Sequence, residues 1–249
     1  MNVVVYDTEF SETFTNFSPT AGQYEQINKH FPGIQLVPVE TEKGTYNILD
    51  PSSLDEDNQL NLYWDIKFFE KMPEVSDENF CSRLDNYYPK NETQEKLLDA
   101  IYYLLDLNTG SAGLYIFGSP GVGKTHCAVG AGKELLKKAS GNFYFLTDEN
   151  YKIHKSLIPD SVFILDDLNS PYGVFKDTFL KLVQYVHENG GRIFVTSNMG
   201  YDEFFKNAFA GNNENKERIL DRMKGLFYVL EIEGQSERTA KTWYHALEQ

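Results

Sequence analysis

The sequence predicts an α/β fold: a parallel five-stranded sheet sandwiched by helices, without a C-terminal lid, behind a small, acidic, β-rich N-terminal region. Three observations carry that prediction. From residue 79 onward, short all-apolar runs alternate with longer amphipathic ones, the pattern of strands buried on both faces and joined by covering helices. One strand-to-helix junction, residues 118–125, is rich in glycine and ends in Lys-Thr. The charge is also uneven: residues 1–90 hold 16 acids against 6 bases, a net of −10, and residues 91–249 hold 21 against 17, a net of −4. These shifts divide the chain into an acidic interaction region, 1–78, and an α/β domain, 79–249.

In chain order, NVVVY (2–6) reads as a buried strand. IQLVPVE (34–40) and GTYNIL (44–49) read as short strands, the first interrupted by Pro38 and the second opened by Gly44. PSSLDEDNQ (51–59) is a polar turn or linker, and LYWDIKFFEKM (62–72) a short helix or docking segment. A region of this size buries little core alone, so it is expected to pack on the α/β domain or on a partner. NETQEKLLDAIYYLL (91–105) is a helix with Asn91 as N-cap. GLYIFG (113–118) is the first strand of the main sheet, and GKTHCAVGAGKELLKKA (123–139) is a helix stopping before Gly141. NFYFLTD (142–148), VFILDDL (162–168), RIFVTSN (192–198) and LFYVLEIEG (226–234) are the other four strands, with KDTFLKLVQYVHENG (176–190) a helix among them.

Composition narrows the function classes. At 41% hydrophobic and 24% charged the chain is too apolar for a disordered one. No window reaches the roughly 18 apolar residues of a membrane span, and the N-terminus has no basic stretch ahead of its apolar run. Two distant cysteines, Cys81 and Cys127, exclude a disulfide framework and suggest a reducing, cytoplasmic setting. A charge of −14 argues against coating nucleic acid by bulk charge. The acidic N-terminal part is either a solvated face or a docking surface for a basic protein partner.

Gly118-Ser119-Pro120-Gly121-Val122-Gly123-Lys124-Thr125 fits the phosphate-loop pattern G-x-x-x-x-G-K-[ST], with the required strand before it and helix after it. The glycines let successive N–H groups face one anion, and the helix adds its positive end. Lys124 is expected to hold the β- and γ-phosphates of ATP, and the Thr125 hydroxyl to ligate Mg²⁺. His126 closes the cofactor-binding stretch, with packing or capping as the alternative. Asp166 and Asp167 end a buried strand, at the sheet edge where ligands of open α/β sheets bind. Asp166 is expected to hold the Mg²⁺ water shell, and Asp167 to orient and deprotonate an attacking water. Thr196, Ser197 and Asn198 form a polar cluster at the same edge, suited to holding that water, with helix capping by Ser197 or Asn198 as the alternative.

In this order the motifs resemble the AAA+ P-loop ATPases, and within them the DnaC/IstB helicase-loader group, near DnaA. The resemblance covers roughly residues 79–249. It rests on NFCSRLDNYYPKNETQ, GSPGVGKTH as Walker A, VFILDDL as Walker B, RIFVTSN as sensor 1, ERILDRM, and LEIEGQSER. It implies an ATPase acting as a homo-oligomer that remodels or loads a replication or transposition partner, with ATP and Mg²⁺ as cofactors. It places Arg222 at the arginine-finger position with Arg218 as its helper; both could equally pair with Glu214 and Glu217. It places Arg238 near phosphate in cis. Tyr87 and Tyr88 could line the adenine pocket or belong to the core. Only 13 residues, Glu149–Ser161, stand where the loader group carries one or two helices, so nucleic acid is expected to bind weakly. The alternatives are a nucleotide-switched adaptor with little turnover and a superfamily 3 viral helicase.

Overall fold

A computed structural model describes residues 8–41, 44–107, 110–138, 141–152, 157–209 and 216–236. The expected strand NVVVY lies outside the described residues. The rest of the N-terminal region is not β-rich. It holds helices α1 (Thr8–Asn16), α2 (Ala21–His30) and α3 (Glu56–Lys71) around one antiparallel hairpin, β1 (Gln35–Thr41) and β2 (Gly44–Asp50). The helices result from spacing. Phe10, Phe14 and Phe17 recur at i, i+4 and i+7, and Tyr24, Ile27 and Phe31 at i, i+3 and i+7, which is one face of a helix and not of a strand. Capping fixes their starts. Thr20 accepts from the Gln23 amide while the Gln23 side chain accepts from the Thr20 amide, a closed capping box. Asp55, in the expected linker, accepts from the Asn58 amide at 2.8 Å and opens α3. The two hairpin strands form as expected, Pro38 included.

The chain then continues through α4 (Glu92–Asp106), β3 (Ser111–Gly118), α5 (Lys124–Lys138), β4 (Phe143–Leu146), β5 (Val162–Leu165), α6 (Gly173–Asn189), β6 (Gly191–Ser197), α7 (Tyr201–Ala208), α8 (Lys216–Leu226) and β7 (Phe227–Ile232). Asn91 caps α4, its Oδ1 accepting from the Gln94 amide at 3.0 Å. The five strands β3 to β7 form one parallel sheet in the order β4-β5-β6-β3-β7. Among the described residues no helical lid comes after β7.

Both faces of the sheet are covered. On one, Tyr115, Phe163, Leu165, Ile193 and Val195 pack against Phe179, Leu182, Val183 and Val186 of α6, Phe204 and Phe205 of α7, and Met223 of α8. On the other, Leu114, Ile116, Phe143, Phe145, Ile164 and Phe194 meet α4, α5 and α3. Among the described residues the β4–β5 connection holds no helix, and α3 of the N-terminal region supplies apolar cover on that face. Phe68 is buried with Met72 and Val75 in the same core as Phe143, Phe145 and Ile164. Gly132 makes the close approach possible, because a Cβ there would stand 2.9 Å from both Phe68 and Ile164. Burying one such ring contributes about 1.5–3 kcal/mol.

Charge ties the same two helices together. Asp65 of α3 is fully buried and receives Lys133 Nζ of α5 on Oδ1 and Arg83 Nη1 on Oδ2, each at 2.6 Å. Lys133 Nζ also donates to the Phe80 carbonyl at 2.6 Å. The remaining N-terminal residues have their own core, in which Phe14, Ile27, Phe31, Leu49, Leu62 and Ile66 surround Phe80 and Cys81.

Candidate functional site

β3 lies between β6 and β7, so the chain departs to opposite sides of it, and the crevice beyond its C-terminal end is the ligand edge of an open α/β sheet. The glycine-rich loop turns there. Gly118, Gly121 and Gly123 all have positive φ, at 143°, 80° and 95°, in the region that L side chains rarely adopt. A Cβ on Gly123 would also run into the Tyr87 ring, whose hydroxyl donates to the Val122 carbonyl at 3.2 Å. Tyr87 therefore braces the loop from behind, whereas Tyr88 is exposed.

Three of the expected residues meet at Lys124. Its Nζ donates to the Gly118 carbonyl at 2.8 Å, the Ser119 carbonyl at 2.9 Å and Asn198 Oδ1 at 2.9 Å. The lysine is only 6% exposed, so its charge is held at the loop by three oxygens. A second convergence centres on Asp166. Its Oδ1 accepts from Thr125 Oγ1 and from Thr196 Oγ1, both at 2.7 Å. Burial raises the Asp166 carboxyl above its ordinary range, while the two threonine hydroxyls pull it back and Asp167 pushes it further up. A divalent cation would reverse that penalty, and carboxylate and hydroxyl oxygens are the donors that a hard cation such as Mg²⁺ prefers. Thr125 and Asp166 thus fit the expected metal-side pair.

Asp167 is exposed and takes φ +56°, turning the chain sharply after β5. Its amide donates to Thr196 Oγ1 at 2.9 Å, so Thr196 links both acids to β6. Neither Ser197 nor Asn198 caps α7, whose N-cap is Gly200 without a side-chain hydrogen bond. Ser197 instead ties β6 to the Leu168 carbonyl at 2.7 Å, and the Asn198 amide donates to Asn169 Oδ1 at 2.6 Å. Asn169 is a site residue that sequence reasoning missed. Its one signal is its position two residues past the acidic pair.

His126 does not face the phosphate loop alone. Its Nε2 lies 2.9 Å from both the Arg83 carbonyl and Asn86 Oδ1, two acceptors, so this nitrogen carries the proton. Burial pushes its pKa below the ordinary 6.5. Arg222 pairs with Glu188 of α6 at 3.0 Å, a partner that the sequence did not suggest; Glu214 lies outside the described residues. Arg218 is exposed, and Arg238 lies outside the described residues. Cys81 and Cys127 are free and buried, their thiols pushed up by burial.

The loop, the acidic pair and Asn198 line one cleft of about 540 Å³. Its far wall was not foreseen. It is built by Lys29 of α2 and by Ser76, Glu78, Asn79 and Ser82 of the segment before α4.

No family model matches the chain. It is 25% identical over 173 residues to the chromosomal replication initiator protein DnaA of Streptococcus equi subsp. equi, which covers 69% of this chain and 37% of the initiator. The chain thus matches little over a third of that relative's length. Among solved structures, DnaI is similar over 67% of this chain and 95% of its own, at 23% identity and TM-score 0.54. A candidate primosome component from Streptococcus pyogenes serotype M3 is similar over 69% and 97%, at 20% identity and TM-score 0.54. The parallel sheet with its glycine-rich loop thus shares the fold of DnaI and of that primosome component.

Proposed function

We propose that the chain binds ATP with Mg²⁺ in the cleft beyond β3 and hydrolyses it, using turnover to remodel or load a replication- or transposition-type partner protein. One observation supports this above the others: Lys124, Thr125, Asp166, Asp167 and Asn198, drawn from three separate stretches of sequence, converge on the glycine-rich loop. In this reading the backbone amides of Gly121, Val122, Gly123 and Lys124 and the Lys124 ammonium hold the β- and γ-phosphates. Thr125 and Asp166 hold Mg²⁺, which supplies neutralisation of phosphate charge. Asp167, exposed at its turn, accepts a proton from water, and Asn198, fixed by Asn169, orients that water. Bound phosphate draws Lys124 away from the Gly118 and Ser119 carbonyls while Asn198 stays within its reach.

Arg222 supports the reading from a neighbouring copy. Its side chain is 17% exposed and that of its Glu188 partner 47%, and a partly exposed ion pair of this kind, worth roughly 0–1 kcal/mol, can exchange for a γ-phosphoryl group in trans. The same pairing favours a second reading, a nucleotide-switched adaptor with little turnover, if no copy docks. Residues 1–78 are the proposed protein-interaction region, and nucleic acid binds weakly if at all, in keeping with the charge of −14. No helix among the described residues is long and apolar enough to cross a membrane, and a cytoplasmic setting is part of the proposal.

Phosphate release from ATP, with Mg²⁺ and with chelator, tests it. Turnover that needs Mg²⁺ and falls at least about a hundredfold in Asp167→Asn is expected, within the range for loss of a general base. Full turnover in Asp167→Asn removes Asp167 from the role, and no turnover at any protein concentration leaves the switch.

A further inference from the structure

The far wall of the cleft belongs to the N-terminal region and has no counterpart among the motifs that mark the fold. Lys29 is the cation on that wall, and it shares the cleft with Lys124, Thr125, Asp166, Asp167 and Asn198. Its main chain is held firmly. The neighbouring Phe31 is 1% exposed and lies under the Arg83 guanidinium, 5.1 Å from ring centroid to Cζ. Arg83 in turn is fixed by the buried Asp65. His30 stands 3.4 Å from Asn86 Nδ2, and Asn86 is hydrogen-bonded to His126 of α5. At the other end of α2, Thr20 Oγ1 donates to Asp77 at 3.1 Å, and Gly22 packs directly against the same carboxylate. Helix α2 is therefore braced against the segment that forms the wall, and that segment against the phosphate-loop helix. The Lys29 side chain itself is exposed, and among the described residues no ion pair holds its ammonium group.

The charge in the cleft calls for a second cation. Asp166, Asp167 and Glu78 face it against Lys124 and Lys29. A triphosphate brings about four more negative charges, of which one Mg²⁺ cancels two. The wall that carries Lys29 faces the same cleft as Asp167 and Asn198, the residues assigned above to the γ-phosphate end.

We propose that Lys29 is a phosphate-binding residue of this site, supplied by the chain's own N-terminal region, and that it contacts the γ-phosphate. The proposal rests on the cleft being a nucleotide site. It gives residues 1–78 a second task besides partner binding: they complete the site in cis and make its affinity depend on the third phosphate. A lysine that senses the γ-phosphate also couples nucleotide state to α2, and through α2 to the acidic region.

The test is equilibrium binding of ADP and of a non-hydrolysable ATP analogue, each with Mg²⁺, to the full chain and to Lys29→Ala, Lys29→Gln and Lys29→Arg. Loss of one hydrogen bond to a charged group predicts that Lys29→Ala and Lys29→Gln bind the analogue about ten- to a hundredfold more weakly. ADP affinity should change by less than about threefold, which also reports that the variants are folded. Lys29→Arg should keep most of the preference. A second readout uses an acyl-phosphate of ATP, in which a lysine Nζ beside the γ-phosphate attacks the acyl carbon, an amide forms and ATP leaves. Lys29 should be labelled, and excess ATP should block the labelling. If the wild-type chain binds the analogue but Lys29→Ala and Lys29→Gln keep its analogue-to-ADP ratio and Lys29 is not labelled, the proposal is overturned and the nucleotide site stands. If the wild-type chain binds neither nucleotide, the site and the proposal fall together.

Discussion

Replacing Asp65 by alanine should cost about 3–5 kcal/mol, because the change strands charge in the interior. Asp65 is fully buried between Lys133, itself 2% exposed, and Arg83 at 7%. Each cation donates to it at 2.6 Å. Burial already lowers the Lys133 pKa, and Asp65 is the group that pulls it back. In the variant Lys133 keeps the Phe80 carbonyl and the Phe68 ring 5.6 Å away but no anion, while Arg83 keeps Asp85 at 3.1 Å, whose carboxylate is exposed. Breaking a buried pair from one side typically costs about 3–5 kcal/mol, a large share of the roughly 5–15 kcal/mol that holds a domain together. At about 2–4 °C per kcal/mol for a chain of this size, the melting temperature should fall by roughly 6–20 °C. Urea unfolding followed by circular dichroism and tryptophan fluorescence measures the free-energy loss, Trp64 lying on the same helix, and a thermal melt measures the temperature shift. Replacing all three charges, as Asp65→Leu, Arg83→Met and Lys133→Met, should recover most of the loss, because no ion is then left unpaired. A loss below about 1 kcal/mol in Asp65→Ala, or a triple variant worse than the single one, would refute the reasoning.

Three further outcomes rest on the same geometry. Asp166→Asn should weaken the Mg²⁺ dependence of nucleotide binding as well as turnover, since Thr125 and Thr196 both rest on that carboxylate; a magnesium titration reads it. Arg222→Ala should bind ATP normally and lose turnover by about a thousandfold or more. Mixing it with Lys124→Ala should restore part of the activity, because one interface then joins an intact loop to an intact arginine, whereas a surface ion pair predicts no rescue. Stability should fall as pH drops below about 6.5. The folded His126 pKa is depressed by burial, so the unfolded chain takes up the proton first, and stability present above the unfolded pKa is lost as pH falls towards the folded one. His30 is shifted the same way, with burial first and Arg83 next, so His126→Gln should flatten part of the slope and not all of it.

The sheet and the phosphate loop were legible because their signals are local. An all-apolar run such as Val162–Leu165 and a loop whose glycines need positive φ are written in consecutive residues. Asp166, Thr125 and Asn198 could be assigned before folding because strand ends of one parallel sheet must share an edge. Helices α1 and α2 were hidden by the thinness of their stripes, three aromatic or aliphatic residues each set among polar ones, whereas the denser apolar run at 62–72 had already suggested the helix that α3 forms. Lys29 and the Asp65–Lys133 pair could not be read at all. Their partners lie far off in sequence, and no spacing rule links α2 or α3 to α5. The same holds for Arg222 and Glu188, 34 residues apart, which meet only because α6 and α8 pack on one face of the sheet.

The central claim is that the loop at residues 118–125 holds nucleotide, and equilibrium titration of the wild-type chain and of Lys124→Ala with an ATP analogue and Mg²⁺ tests it most directly. Lys124 Nζ makes three hydrogen bonds at the loop, and in the proposed reading its charge is the one that meets the phosphates. Saturable binding by the wild-type chain is expected, with at least about a hundredfold loss in Lys124→Ala and an unchanged circular dichroism spectrum. Equal affinity in the two proteins, or no saturable binding by the wild-type chain, would contradict it.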